Sequence, residues 1–404
     1  MKFRDKIKIK KGSRRYFIYI PCSIALAMTI LCYYYWNARY TFELGDNAIR
    51  LSSAFKDLCT KTDYSDDEVL AINVSYDRVL VPYSISKLSQ GTIDITDRYK
   101  LLVLLDSLSK WNNYKYIACD VRFDDQFTTE WDEALFKLIS EMRDITVARG
   151  KDDSYPSILS DKVSNSSYSE LLSGDGFLKF SYKSSDNMDN MAYRMWKEID
   201  GGRIKKHWWG YSSGGWPCVS SFVPDLKYST RKNDSSRRNA NYNLVEDVYN
   251  LGASILSQFY EDPEIYKLFD NKIILIGDFK EADIHDTIKN RIAGPEILFN
   301  EYLGLKNGAH KVRIWVMILL FFVFSAEISY ALRDYWLVRY KREEKKKRKL
   351  LRLILKAFVT WIGYTGVLGI VCLILYFYSG LFVNAIVIGS IIAFMSSFIK
   401  SPEK

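Results

Sequence analysis

The chain has 404 residues, more than one ordinary domain needs. It carries 57 Lys+Arg against 48 Asp+Glu, a net charge of +9, and its mean hydropathy of −0.14 averages a polar middle with very apolar ends. Of six cysteines, Cys22, Cys32 and Cys372 lie in apolar runs and only Cys59, Cys119 and Cys218 in the polar middle, which excludes a dense disulfide framework.

The basic leader MKFRDKIKIKKGSRR precedes an apolar run from Tyr16 to Trp36 that is long enough to cross a bilayer. This run ends in CYYYWNARY, aromatics at interface height rather than the small residues of a cleavage site, so an uncleaved anchor is expected.

The middle, residues 37–313, alternates strand and helix signals. A strand is expected around VLAINVS, a helix over Asp94–Trp111, a strand over Tyr116–Phe123, a helix over Thr128–Arg143 and a strand over Ile145–Arg149. That order predicts an α/β domain with a mostly parallel sheet covered on both faces. Lys151–Asp175 turns to Ser, Asp and Gly and is expected to be a surface excursion. FLKFSYK and MAYRMWKEID are expected to form an antiparallel pair, and Lys227–Asn241 a mobile polar stretch. A helix is expected over Leu244–Tyr260, then the strand KIILIG, then the helix GPEILFNEYLGL with Pro295 near its start.

Three more apolar runs follow: Ile314–Leu332, Leu353–Tyr378 and Leu381–Ile399. Between the first two, Arg333–Arg352 holds ten Lys/Arg and three acids, a net +7, which the positive-inside rule assigns to the cytoplasm. Four membrane helices are therefore expected, with both termini cytoplasmic and residues 37–313 outside. The excess charge is then explained by topology and anionic lipid, without nucleic acid. Glu327 and Lys356 sit at similar depth in two of these runs. They are candidates for a transmembrane ion pair, or for snorkelling to the interface.

The chemistry motifs are sparse. KIILIGDF has no GxxxxGK[ST] or GxGxxG, so no phosphate cradle is expected. Gly210–Gly214 spells GxSxG, and Ser212 precedes Asp278 and His285 in triad order. However, Gly215-Trp216-Pro217 is a poor start for the helix a nucleophile elbow requires. The three histidines, His207, His285 and His310, form no metal-binding spacing, and neither a metal nor a cofactor is expected. Ligands of open α/β sheets gather beyond the carboxyl ends of the strands, where Asp120, Arg122, Asp278 and Asp286 fall. With Arg98 they form the candidate ligand-binding set. The alternative is that the acids cap helices or pair with Arg98 and Arg122.

The layout resembles the second class of CHASE domain, the extracellular sensors of bacterial signalling proteins. The likeness lies in DRYKLLVLLDSLSKW followed by YKYIACDVRF, in TTEWDEALFKLI followed by ITVAR, and in KIILIGDF, Asp286 and AGPEILFNEYL, together with one N-terminal and three C-terminal spans. It implies a sensor at the plasma (inner) membrane, with membrane lipid, a separate signalling protein and a second copy of the chain as partners. The chain departs at Phe299-Asn300, where the family carries His-Ala, and at GTIDITDR, which keeps only Arg98 of a Trp/Pro-rich segment. The family also usually continues into a kinase or cyclase after the last span, whereas this sequence ends at Lys404, so output through another chain is expected. A non-catalytic membrane scaffold is the competing expectation; an ectohydrolase using Ser212 is a third.

Overall fold

The computed structural model describes residues 16–37, 43–59, 67–86, 89–123, 127–149, 163–169, 172–173, 177–182, 189–230, 248–280, 282–287, 291–340, 349–381, 383 and 385–398. The chain divides into two compact units. One comprises Asp57–Gly214 and Ser220–His310; the other comprises Met1–Lys56, Gly215–Val219 and Lys311–Lys404.

The helices in chain order are α1 (Tyr16–Trp36), α2 (Glu43–Cys59), α3 (Arg98–Trp111), α4 (Asp132–Glu141), α5 (Met191–Ile199), α6 (Ser257–Glu261), α7 (Gly294–Lys306), α8 (Ile314–Tyr340), α9 (Lys349–Ser379) and α10 (Ala385–Phe398). The strands are β1 (Val69–Asn73), β2 (Arg78–Ser86), β3 (Ser89–Thr96), β4 (Tyr116–Cys119), β5 (Ile145–Arg149), β6 (Ser166–Tyr168), β7 (Leu172–Ser173), β8 (Phe177–Ser181), β9 (Lys205–His207), β10 (Gly210–Ser213), β11 (Trp216–Cys218), β12 (Ser221–Phe222), β13 (Val248–Asn250), β14 (Ile273–Gly277), β15 (Ile284–Asp286) and β16 (Arg291–Ala293).

The larger unit is an α/β domain. Its six-stranded sheet runs β13-β1-β14-β4-β5-β6, with every pairing parallel. Alternate side chains of each strand face opposite layers. Leu70, Ile72, Ile117, Cys119, Ile145, Val147, Ile274 and Ile276 pack under α3, α4 and the helical turns Leu251–Leu256 and Pro263–Phe269. The opposite face is covered by α5 and α7, which also pack on each other. Both faces are dry, so β1, β4 and β14 read as continuous apolar runs rather than as alternating ones.

Helix α3 starts at Arg98 because Asp97 caps it, its carboxylate accepting the N–H groups of Tyr99 and Lys100. It ends at Asn112 in the left-handed conformation. Helix α7 is buried along its whole length from Gly294 to Leu305. Two of its polar residues, Glu296 and Asn300, are consumed locally. Asn300 Oδ1 accepts the N–H groups of Lys227 and Tyr228, both at 2.9 Å, and its Nδ2 donates to the carbonyls of Tyr228 and Glu296. Glu296 accepts from Ala293 N–H and from both donors of Thr230. Asn300→Leu should therefore leave two N–H groups and a carbonyl unpaired in the core and cost about 2–4 kcal/mol, read as a lower urea midpoint at unchanged slope.

Several expectations need correction. MAYRMWKEID is helix α5, not a strand. Asn190 caps it through Ala192 N–H, and the buried positions Met191, Ala192, Met195 and Trp196 recur at helical spacing. Part of the predicted helix over Leu244–Tyr260 is strand instead: Val248–Asn250 adds to the sheet edge beside β1, where Val and Tyr suit a pleat, and helical turns begin only at Leu251. Within the expected surface excursion, Ser166–Tyr168 is the buried sixth strand, because its backbone completes the ladder of β5. Within the expected mobile stretch, Lys227–Thr230 is pinned to α7, and residues 231–241 lie outside the described set. The hairpin β2–β3 was not anticipated, and it takes up Asp94–Thr96 of the predicted α3.

In the smaller unit α1 packs along α8, and α9 along α10. Gly389 lets α10 approach α9 closely: a Cβ there would lie 2.6 Å from Thr365 Oγ1. Among the described residues two helices are long and apolar enough to cross a membrane, Ile18–Trp36 and Trp361–Ser379. The apolar helical stretch at Ile314–Tyr330 is shorter, and α10 has 14 residues, starting at Ala385 rather than Leu381. The predicted basic loop is narrowed by helix from both sides, since α8 continues to Tyr340 and α9 starts at Lys349; residues 341–348 lie outside the described set.

Candidate functional site

Strands β4 and β14 are parallel neighbours, so their carboxyl ends open side by side. Asp120 N–H donates to Ile276 O at 2.7 Å, which sets Asp120 directly beside Gly277. Here α7 comes down on the strand ends. A Cβ on Gly277 would lie 2.4 Å from Pro295 Cγ and 3.4 Å from Asp120 O. Gly294, the first residue of α7, donates its N–H to Asp283 O at 2.8 Å, and a Cβ on it would collide with the Asp283 carboxylate. Two glycines thus let a helix start, a strand end and a loop carboxylate meet without side chains between them.

Asp120, Asp283, His285 and Glu301 interact electrostatically at this edge. Burial and the nearby Asp283 charge push Asp120 up to about 7, against a Ser169 hydrogen bond and the His285 charge, which pull it down. Burial also raises Asp283, offset by its hydrogen bond to His285. His285 Nε2 lies 2.7 Å from Asp283 Oδ1, and this bond raises the imidazole pKa above its usual value. Glu301 is 1% exposed, its Oε1 has no hydrogen-bond partner, and burial followed by the Asp120 charge raises it well above the carboxylate range. Burial thus favours the neutral form of Glu301, the bond to Asp283 favours the protonated form of His285, and Asp120 is pushed up to about 7. Asp283 and His285 are about one-third exposed and face water; Glu301 closes the inner end. Such an edge is suited to exchange a proton or to accept a small cationic or polar ligand. Among the described residues no His/Cys/Asp/Glu group is arranged to hold a metal ion.

The structure divides the sequence-derived set. Asp120 is in the cluster. Asp278 stands next to it, yet is occupied: it accepts the N–H groups of Lys280 and Ala282 and pairs with Arg78 at 2.8 Å. Asp286 points outward and faces Arg291 at 3.8 Å. Arg98 is 2% exposed, stacks 4.0 Å over Phe123, faces Asp132 at 3.8 Å and donates to the carbonyl of Arg122, while Arg122 itself is exposed. Arg98 thus ties the start of α3 to the segment after β4, the pairing alternative rather than the ligand reading. Asp283 and Glu301 were missed as site residues. Glu301 had a legible signal, a second acid inside a largely apolar helix.

Ser212 does not meet His285. Its Oγ lies 2.7 Å from His207 Nε2 across the β9–β10 hairpin, and strand and turn surround it where an elbow has a helix. None of the six cysteines is in a disulfide; Cys119 is buried, which pushes its thiol up to about 12. Glu327 is 7% exposed and its Oε2 has no hydrogen-bond partner among the described residues. The Lys356 side chain lies outside the described residues, and with it the expected ion pair.

No family model, no curated protein and no solved structure matches the chain.

Proposed function

We propose that the chain is a multi-pass membrane receptor of the CHASE type. Its α/β domain reads an extracytoplasmic signal at the Asp120–Asp283–Glu301 edge and relays it through four membrane helices to a separate signalling protein. The observation that carries this reading is the placement of α7. Its first turn rests on the acidic edge, it is buried along its length, and only residues 307–313 separate it from the apolar helix α8. A short joint transmits a displacement that a flexible linker would absorb. A ligand shifts the receptor only by binding its two states with different affinity, and a change of charge under α7 supplies such a difference.

In this reading the N-terminus, residues 333–352 and the C-terminal tail are cytoplasmic, residues 37–313 are outside, and α8 and α10 cross the inner membrane together with α1 and α9. The apolar side chains that α1, α8 and α9 leave exposed, including Leu31, Phe322 and Ile370, support lipid as their surroundings.

Affinity capture of the tagged full-length protein from its native membrane, followed by mass spectrometry, tests the relay. A co-purifying kinase or cyclase whose activity changes in the Asp120→Asn background is expected. Recovery of envelope-assembly proteins alone would overturn the receptor reading in favour of a scaffold.

A further inference from the structure

The hairpin β9–β10 has a two-residue turn, Trp208-Trp209, closed by the pair Gly210–His207. Neither tryptophan takes a positive φ; Gly210, at φ 144°, supplies that backbone conformation where the turn closes. Trp208 is 96% exposed, the highest value among the large apolar side chains of the described residues. Trp209 is held back by stacking on His207, with ring centroids 5.0 Å apart and planes 2° apart. The hairpin therefore fixes one indole and projects the other.

Its charge is one-sided. Residues 203–216, RIKKHWWGYSSGGW, contain Arg203, Lys205 and Lys206, three tryptophans and no acid. All three basic side chains are exposed, and among the described residues none has an ion-pair partner. The chain then runs through Gly214 and Gly215 into Trp216–Cys218, which belongs to the unit of apolar helices. There Cys218 O accepts from Tyr33 OH near the end of α1, and Pro217 O accepts from Val312 N–H just before α8. Tyr33 and Val312 mark the ends of apolar helices at which an outer membrane–water interface would fall. Trp208 is eight residues from Trp216.

We propose that the β9–β10 hairpin is a membrane-surface anchor: Trp208 seats at the headgroup–acyl boundary of the outer leaflet while Arg203, Lys205 and Lys206 meet anionic lipid phosphates. An amphipathic indole flanked by long cationic side chains suits that boundary, since the ring leaves water and the charges stay at the phosphates. Anchoring here would hold the α/β domain against the bilayer at a point separate from the α7–α8 joint. The inference rests on the membrane placement in the functional reading but not on any ligand.

The test uses the full-length Cys59→Ser protein in nanodiscs of phosphatidylcholine with phosphatidylglycerol. Trp208→Cys is labelled with an environment-sensitive fluorophore, labelling of the parent is subtracted, and doxyl lipids serve as quenchers. Ile370→Cys on α9 reports membrane placement, and Tyr99→Cys on α3 reports solvent. Expected is several-fold stronger quenching at 208 than at 99, greatest with a shallow doxyl group and reduced by Lys205→Glu/Lys206→Glu. If 370 is quenched while 208 matches 99, the anchor is overturned and the membrane reading stands. A blue-shifted but unquenched label at 208 overturns it in favour of a protein contact. If 370 is unquenched as well, the membrane placement itself falls. Quenching at 208 that is indifferent to phosphatidylglycerol and to charge reversal overturns the lipid-phosphate part.

Discussion

Gly277→Ala is expected to destabilise the α/β domain by about 2–3 kcal/mol, a large effect for one methyl group. The added Cβ would lie 2.4 Å from Pro295 Cγ and 3.4 Å from the Asp120 carbonyl. Neither neighbour yields easily. The proline ring has no free rotamer, and the carbonyl belongs to backbone hydrogen-bonded within the sheet edge. Relief requires shifting the start of α7, whose residues Gly294–Leu305 are all buried. The clash is with a single ring, so Gly277→Ala/Pro295→Ala should recover most of the loss. Denaturant unfolding of both variants in detergent, run as a double-mutant cycle, measures that coupling. Additive losses would show that Pro295 is not the obstacle. The same displacement would open the inner end of the acidic cluster, so Gly277→Ala should also lower the Asp120 pKa.

The second large effect is expected from Asp120→Asn, and it depends on pH. Asp120 is raised from the usual carboxylate range to about 7 by burial and by Asp283. A carboxyl with a raised folded-state pKa binds its proton more tightly in the folded than in the unfolded chain. Its contribution to stability is complete below the unfolded pKa, near 4, and declines as pH rises through about 7. Asparagine removes this penalty. Asp120→Asn should be nearly neutral at pH 4 and more stable than the parent at pH 8, by about 1–2 kcal/mol once solvent screening at the rim is allowed for. A shallower slope should persist, since His285, raised by its bond to Asp283, acts in the same direction around neutral pH. Thermal unfolding in detergent across this range reads both terms. A parent protein with flat stability between pH 5 and pH 8 would show that Asp120 is an ordinary surface carboxylate.

In the receptor reading, this titration is part of the signal. Ionising Asp120 beneath α7 places charge next to a helix start that the two glycines hold in close contact. A cationic ligand would favour the ionised state and a proton the neutral one, so ligand affinity should rise with pH over the same interval.

Much of the α/β core was determined by sequence alone. Strands β1, β4, β5 and β14 and helices α3, α4 and α7 were legible, because a strand buried on both faces is a short apolar run and a core-facing helix repeats leucine at helical spacing. The parallel character of the sheet followed from their alternation, and the apolar helices followed from hydropathy and the flanking basic residues. What sequence could not determine depended on neighbours distant along the chain. Met191–Ile199 is helix through its cap at Asn190 and its packing on α7, and Val248–Asn250 is strand because β1 offers a free edge. The candidate cluster was half visible for the same reason. Asp120 announced itself at a strand end, whereas Asp283 and Glu301 reach it only because β14 inserts between β1 and β4 and brings α7 onto the edge. Strand order is a property of long-range pairing and close backbone approach, which local periodicity does not encode. The tertiary structure therefore decided which acids gather at the strand ends, and which, like Asp278, are spent on holding the fold.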